Sequence, residues 1–351
     1  MSTIDALSSH SPRRTRTFGQ REVTETVVPI VVSLVTTTLL FLLTPLDGGF
    51  GFVLIAAAIF LAAFYVSVRR TRGAIHGIDR VVGVAITLAA MLTATPLILI
   101  VWTVFRKGIP GLSLNFFTKT MEGVDPSSGP KVGGALQAIT GTLTQVGLAM
   151  LVSVPFGVAT AVYLNEIRGR MSPIVRLMVD AMSGIPSIVA GLFIYTVWVI
   201  GPGHGYSGFA ASLALGILML PTVARTSEEM LKLVDPSLRE ASLALGSSQW
   251  RTVSQVVLPT ARTGIVTAVI LGIARVAGET APLLMTAFGN DKVIGPVRAL
   301  HEPQSALPLL IFQLFAQDQR QRAWTAAMVL VLLVLALFTL ARIIGRSRKT
   351  G

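Results

Sequence analysis

The stretch EASLALGSSQWRTVSQVVLP, residues 240–259, reads as a soluble-looking pair of helices lodged between two apolar segments, each able to cross a membrane. Asp235 followed by Pro236 is a good N-cap and first-turn pair, and Leu238, Ala241 and Leu245 recur at helical spacing until Gly246 permits a stop. Ser248 can cap a second short helix on which Trp250, Val253, Val256 and Val257 predict one apolar face, and Pro259 is expected to break it before the next apolar run. Ala241, Ser242, Ala244 and Gly246 are small enough to let a partner's backbone come close. The stretch therefore predicts a handle for another protein. An amphipathic connector lying on the bilayer surface is the plainer alternative.

Composition puts this handle on a membrane protein. The chain has 351 residues, 52% hydrophobic and 13% charged, with a mean hydropathy of +0.71, values that exclude an ordinary soluble globule or a disordered chain. Eight apolar runs approach or exceed the roughly 20 residues a helix needs to span a bilayer. They cover residues 27–44, 52–68, 81–105, 136–164, 174–200, 209–224, 264–288 and 323–344, the first, second and sixth being short. Pro45, Asp47, Gly48 and Gly49 make the first pair a tight hairpin, and residues 307–315 are apolar but too short to span. With the N-terminus in the cytoplasm, 20 of the 29 basic residues fall inside and 8 outside, as the positive-inside rule requires, and both termini are then cytoplasmic. The polar, arginine-containing start leads into a first span without a small-residue cleavage site, which predicts a retained anchor. A net charge of +12 would suggest nucleic acid in a soluble protein, but here the excess faces anionic lipid.

Two charges stand inside the seventh run, where a charge at the bilayer centre costs about 2.5 to 3.5 kcal/mol on insertion scales. Arg275 and Glu279 are one helical turn apart, so both are expected on one face, directed at protein or water. A planar, permanently charged guanidinium suits an oxyanion passing through a cavity, with Glu279 holding its orientation and moderating its charge. The alternative is a structural ion pair that fixes helix packing. Asp180 has Arg176 four residues earlier, which predicts a local ion pair. Pro155, Pro186, Pro221 and Pro282 interrupt the core spans, and Ser187 and Gly191 have the small-residue spacing of close helix packing.

Several chemistries are absent from the sequence. No lysine follows a glycine, so there is no P-loop, and energy must come from a partner. There is no cysteine, hence neither disulfide nor thiolate metal site. Gly205-Tyr206-Ser207-Gly208 matches the GxSG of rhomboid-type proteases, but all four histidines lie outside the spans, so the segment reads as a turn. His301-Glu302 has no second histidine at metal spacing. Catalytic residues, metal ligands and cofactors are expected to be none.

Glu240-Ala241-Ser242, Gly246, Val256 and Leu258-Pro259 resemble the EAA loop of ABC-importer permeases. Gly278-Glu279-Thr280-Ala281-Pro282-Leu283-Leu284 is similar to the GETAPLL segment of phosphate-importer permeases of the PstA type. Ser183-Gly184-Ile185-Pro186-Ser187-Ile188-Val189, and Gly133-Gly134 with Gly141-Thr142-Leu143, look like the same family. The resemblance implies an all-α polytopic membrane protein with the type I ABC importer transmembrane fold and about eight transmembrane helices. It implies a permease subunit that translocates inorganic phosphate across the bacterial cytoplasmic membrane, with no ATP site of its own. Its expected partners are a second permease, a cytosolic ATPase dimer, an external phosphate-binding protein and membrane lipid, and no nucleic acid. Glu240, Ala241, Gly246, Leu258 and Pro259 would form the ATPase coupling loop, and Arg275 and Glu279 the substrate pathway. Sulfate or molybdate would suit an intramembrane arginine too, and a secondary transporter would fit the composition. The expected organisation is a cytoplasmic tail (1–26), an additional transmembrane hairpin (27–80), a first core-associated helix with an external loop (81–134), the importer domain (135–345) with its coupling loop at 225–262, and a second tail (346–351).

Overall fold

The computed structural model describes residues 20–45, 48–125, 127–129 and 131–345. Residues 1–19 and 346–351 of the expected tails, and Asp47 of the first turn, lie outside them. The chain divides into two compact units, Met1–Ile100 and Val101–Gly351.

In the first unit, α1 (Gln20–Leu43) and α2 (Gly49–Arg72) form the expected tight hairpin, followed by most of α3 (Ala74–Gly108). The Ser33 hydroxyl donates to the Ala56 carbonyl at 2.6 Å, and Phe41 meets Phe52 edge to face at 5.2 Å near the turn. Most apolar side chains of these helices, among them Val31, Leu39, Leu54, Leu97 and Ile98, are exposed. Such a surface is too large and continuous for water and fits lipid.

The second unit continues through α4 (Leu114–Thr118), α5 (Leu136–Val162), α6 (Ser172–Ser183), α7 (Ser187–Ile194) and α8 (Gly208–Lys232). After these come α9 (Pro236–Ala244), α10 (Gln249–Thr252), α11 (Leu258–Ala277), α12 (Ala281–Thr286), α13 (Leu307–Ala316) and α14 (Arg320–Gly345). Among the described residues, seven helices are long and apolar enough to cross a membrane, and eight if α6 and α7 count as one broken span. The protein is thus an all-helical, multi-pass membrane protein.

Three spans differ from the sequence expectation. The run 174–200 is not straight: α6 and α7 meet at a bend of 102°. Pro186 is the cause, because its ring pushes Ile185 out of the helical region, so α6 stops at Gly184 and Pro186 opens α7. The run 264–288 is also broken, α11 ending at Ala277 and α12 starting at Ala281. The sixth run, short in the sequence, becomes the 25-residue α8, which lies at the centre of the core. Leu215, Leu218 and Met219 of α8 are buried against Val146 and Ala149 of α5 and Ile273, Val276 and Ala277 of α11. Val223 is gripped on two sides, since a Cβ on Gly157 of α5 or on Gly272 of α11 would stand 2.9 Å from its methyl groups.

Two of the glycine motifs now have a structural reason. A side chain at Gly134 would run into the carbonyls of Asn115 and Lys119, and one at Gly141 into the Ser305 carbonyl. Beside it, Thr142 Oγ1 accepts the Leu307 N–H at 2.8 Å. Gly191 packs its backbone on Pro282, joining α7 to α12, which supports the packing reading of that spacing. Ser207 caps α8 by accepting the Ala210 N–H at 3.1 Å, so the GYSG segment, expected as a turn, is the extended lead-in to a helix that begins at Gly208.

Candidate functional site

The helix pair of residues 240–259 forms as its capping residues dictate. Asp235 accepts the Ser237 N–H at 2.9 Å, and hydrogen bonds from the backbone and side chain of Ser237 hold its carboxyl below the ordinary carboxylate range. At the other end of α9, Gly246 has φ +81°, its N–H reaches the Leu243 carbonyl at 2.9 Å and the Ser247 N–H reaches the Ser242 carbonyl at 3.3 Å. This paired pattern is a Schellman stop, which needs a left-handed residue and so favours glycine. Ser248 then caps α10 through the Arg251 N–H, and the hydroxyls of Ser242 and Thr252 meet at 2.9 Å across the turn.

Two expectations fail in the second helix. Pro259 does not break it: residues Gln249–Ala277 are continuous, because the five residues Val253–Val257 ahead of the proline are wound as a π-helix. The wider turn gives the ring room and reassigns the carbonyl that a missing N–H would orphan. Val253 and Val257 are buried, while Trp250, expected beside them, is 71% exposed. No residue of α9 is buried. Leu245 is 87% exposed, and Leu238 and Leu243 are exposed with it, leaving apolar side chains that the other described residues do not cover.

This module is anchored to the span ends by residues that sequence reasoning missed. Arg239 forks onto Glu166, Nε to Oε2 at 3.0 Å and Nη2 to Oε1 at 2.8 Å. It also donates to the carbonyls of Leu231, in the last turn of α8, and Val234, just beyond it, at 2.8 and 2.7 Å. Gln249 Nε2 donates to the Glu166 carbonyl at 2.7 Å. Next to it, Glu228 of α8 is fully buried and takes Arg176 of α6 at 2.7 Å and Lys232 at 3.2 Å. Arg176 therefore serves Glu228, and Asp180 pairs with Arg225 of α8 instead of Arg176. The i, i+3 and i, i+4 spacing of Arg225, Glu228 and Lys232 was a local signal for this cluster. Glu166 and Arg239, 73 residues apart, gave none.

The intramembrane pair is arranged differently from the helical expectation. Gly278 ends α11, so Glu279 lies in the break before α12 and not one turn above Arg275 on the same helix. Among the described residues no ion pair joins them. Arg275 stands exposed in the last turn of α11, where the helix dipole favours a cation, and donates to Thr222 Oγ1 of α8 at 3.3 Å. Most of its N–H groups are left for another acceptor, and the structural ion pair is not formed. Among the described residues no group of three or more His, Asp or Glu is placed to hold a metal ion.

The helix pair is thus pinned to the ends of core spans and left uncovered by the rest of the described residues. Comparison with known proteins gives the family. The family described as binding-protein-dependent transport system inner membrane component matches residues 153–350. Phosphate transport system permease protein PstA 1 of Mycobacterium tuberculosis (strain CDC 1551 / Oshkosh) is 41% identical over 68% of this chain and 79% of its own length. Phosphate transport system permease protein PstA of Pasteurella multocida (strain Pm70) is 40% identical over 70% of this chain and 86% of its own. The fold is shared with a chain of a bacterial ABC transporter involved in the import of the acidic polysaccharide alginate, at 15% identity and a TM-score of 0.50, covering 77% of this chain and 99% of that one. The chain belongs to the family of binding-protein-dependent transport system inner membrane components.

Proposed function

We propose that this chain is the permease subunit of an ATP-driven importer of inorganic phosphate. The observation that carries the substrate is the identity of about 40% with permeases named for phosphate transport, over most of their length. The unpaired Arg275 supports an oxyanion, because a guanidinium fork matches tetrahedral oxygens. Arg275 lines the pathway, with Glu279 at the adjacent helix break. The exposed apolar side chains of α9 and α10 seat in a groove of a cytosolic ATPase, with Glu240, Ala241, Gly246, Leu258 and Pro259 as the coupling loop. The chain has no ATP site of its own and acts with an ATPase dimer, a second permease and an external binding protein. Both termini are cytoplasmic, residues 27–80 are an additional transmembrane hairpin, residues 81–134 are a first core-associated helix and external loop, and residues 135–345 are the importer domain.

The test is ATPase stimulation in the reconstituted complex by binding protein loaded with phosphate, sulfate or molybdate. Phosphate is expected to stimulate. Stimulation by sulfate alone overturns the substrate, and uptake by this chain without any ATPase overturns the class.

A further inference from the structure

We infer that Glu166 is a positioning residue for energy coupling: it locks the α9–α10 module to the ends of α5 and α8, so that the three move as one body. The inference rests on the reading of this chain as an ATP-driven permease, and goes beyond it by assigning the rigid connection to a residue outside the coupling loop.

Three features of the geometry carry it. The Arg239 guanidinium is held by both Glu166 oxygens and two backbone carbonyls at the end of α8, which fixes its plane in a way a point charge could not. A second helix of the module reaches the same residue, Gln249 donating to its carbonyl oxygen, while Asn165 Nδ2 donates to its Oε1 at 2.6 Å. The contact is sheltered as well: the Glu166 and Arg239 side chains are only 7% and 20% exposed, so water and salt weaken it less than a surface pair. Glu166 can reach α9 because α5 widens into a π-helical turn, Tyr163–Ile167, closed by Arg168 at φ +50°. A push on α9 thus has a stiff route into α5 as well as into its covalent neighbours α8 and α10.

The experiment measures phosphate uptake and ATP hydrolysis together in the reconstituted complex. Wild-type complex that fails to couple the two overturns the underlying reading and not this one. With coupling present, Glu166→Gln and Arg239→Gln are each expected to raise the ATP hydrolysed per phosphate imported about fivefold or more. The double variant should be no worse than either single one, because both remove the same contact. A normal ratio in the assembled Glu166→Gln complex overturns the inference, as do single effects that multiply. Should Glu166→Gln fail to assemble, Glu166→Asp keeps the charge and withdraws the carboxylate from forked reach, and a normal ratio there overturns it equally.

Discussion

Arg275 is exposed and held by one hydrogen bond to Thr222. A forked, permanently charged donor left open is suited to catching an oxyanion and releasing it, since a neighbouring fixed carboxylate or a second cation would shift the balance either way. Arg275→Gln removes charge and fork together and is expected to lower phosphate uptake roughly tenfold or more, a hydrogen bond to a charged group being worth about 1.5 to 3 kcal/mol. Arg275→Lys, which keeps the charge alone, should fall between that variant and wild type. Uptake assays of the assembled complex decide the point, and normal rates in both variants remove the residue from the pathway. Arg275 was legible in the sequence because a charge within an apolar run has to be explained. Its relation to Glu279 was not, because helical spacing says nothing about where a helix breaks: Gly278 ends α11 ahead of Glu279, and α12 opens only at Ala281, past it.

At the scale of the element, α9 is a helix of nine residues with a strong stop. No atom lies within 4 Å of a Cβ placed on Gly246, so a substitution there meets no steric obstacle, only the left-handed backbone. A side chain in that conformation costs roughly 1 to 2 kcal/mol, and asparagine bears it more easily than valine. Gly246→Val is therefore expected to fray the end of α9 and uncouple ATP hydrolysis from uptake while membrane insertion stays normal, with Gly246→Asn close to wild type. Equal behaviour of the two in hydrolysis and uptake assays counts against the conformational account. The start and stop of α9 were readable because caps are local chemistry: Asp235, Gly246 and Ser248 all perform as their residue types suggest. The bend between α6 and α7 and the continuation through Pro259 were hidden, since the same residue breaks one helix and is absorbed by a π-turn in another.

For the whole molecule, apolar run lengths gave the number of spans, because the bilayer sets that length whatever the packing. They could not rank the spans by burial: lipid and protein interior select the same side chains, so the short sixth run gave no sign that it would be the most buried of the spans. The tertiary pairs of Glu166 with Arg239 and Arg176 with Glu228 had no sequence signature for a related reason, as partners brought together only by the fold follow no period. The family match begins at residue 153, well past α1 and α2. Removing a hairpin takes away two crossings and leaves every later span in its original orientation. A chain lacking residues 1–72 is expected to insert, to assemble with its partners and to keep phosphate uptake within a few-fold of the full chain. Loss of uptake in a correctly inserted complex would assign the hairpin to the transport machinery.

The grip on Val223 gives α8 the form of a lever with unequal arms. From this fulcrum the helix runs about 24 Å to its Ser207 cap and about 14 Å to Lys232, at about 1.5 Å per residue. Any tilt about that point moves the Ser207 end roughly 1.8 times as far as the end beside α9, and in the opposite direction. A single rocking motion about Val223 would therefore carry the two ends of α8 in opposite senses without any bending of the helix itself.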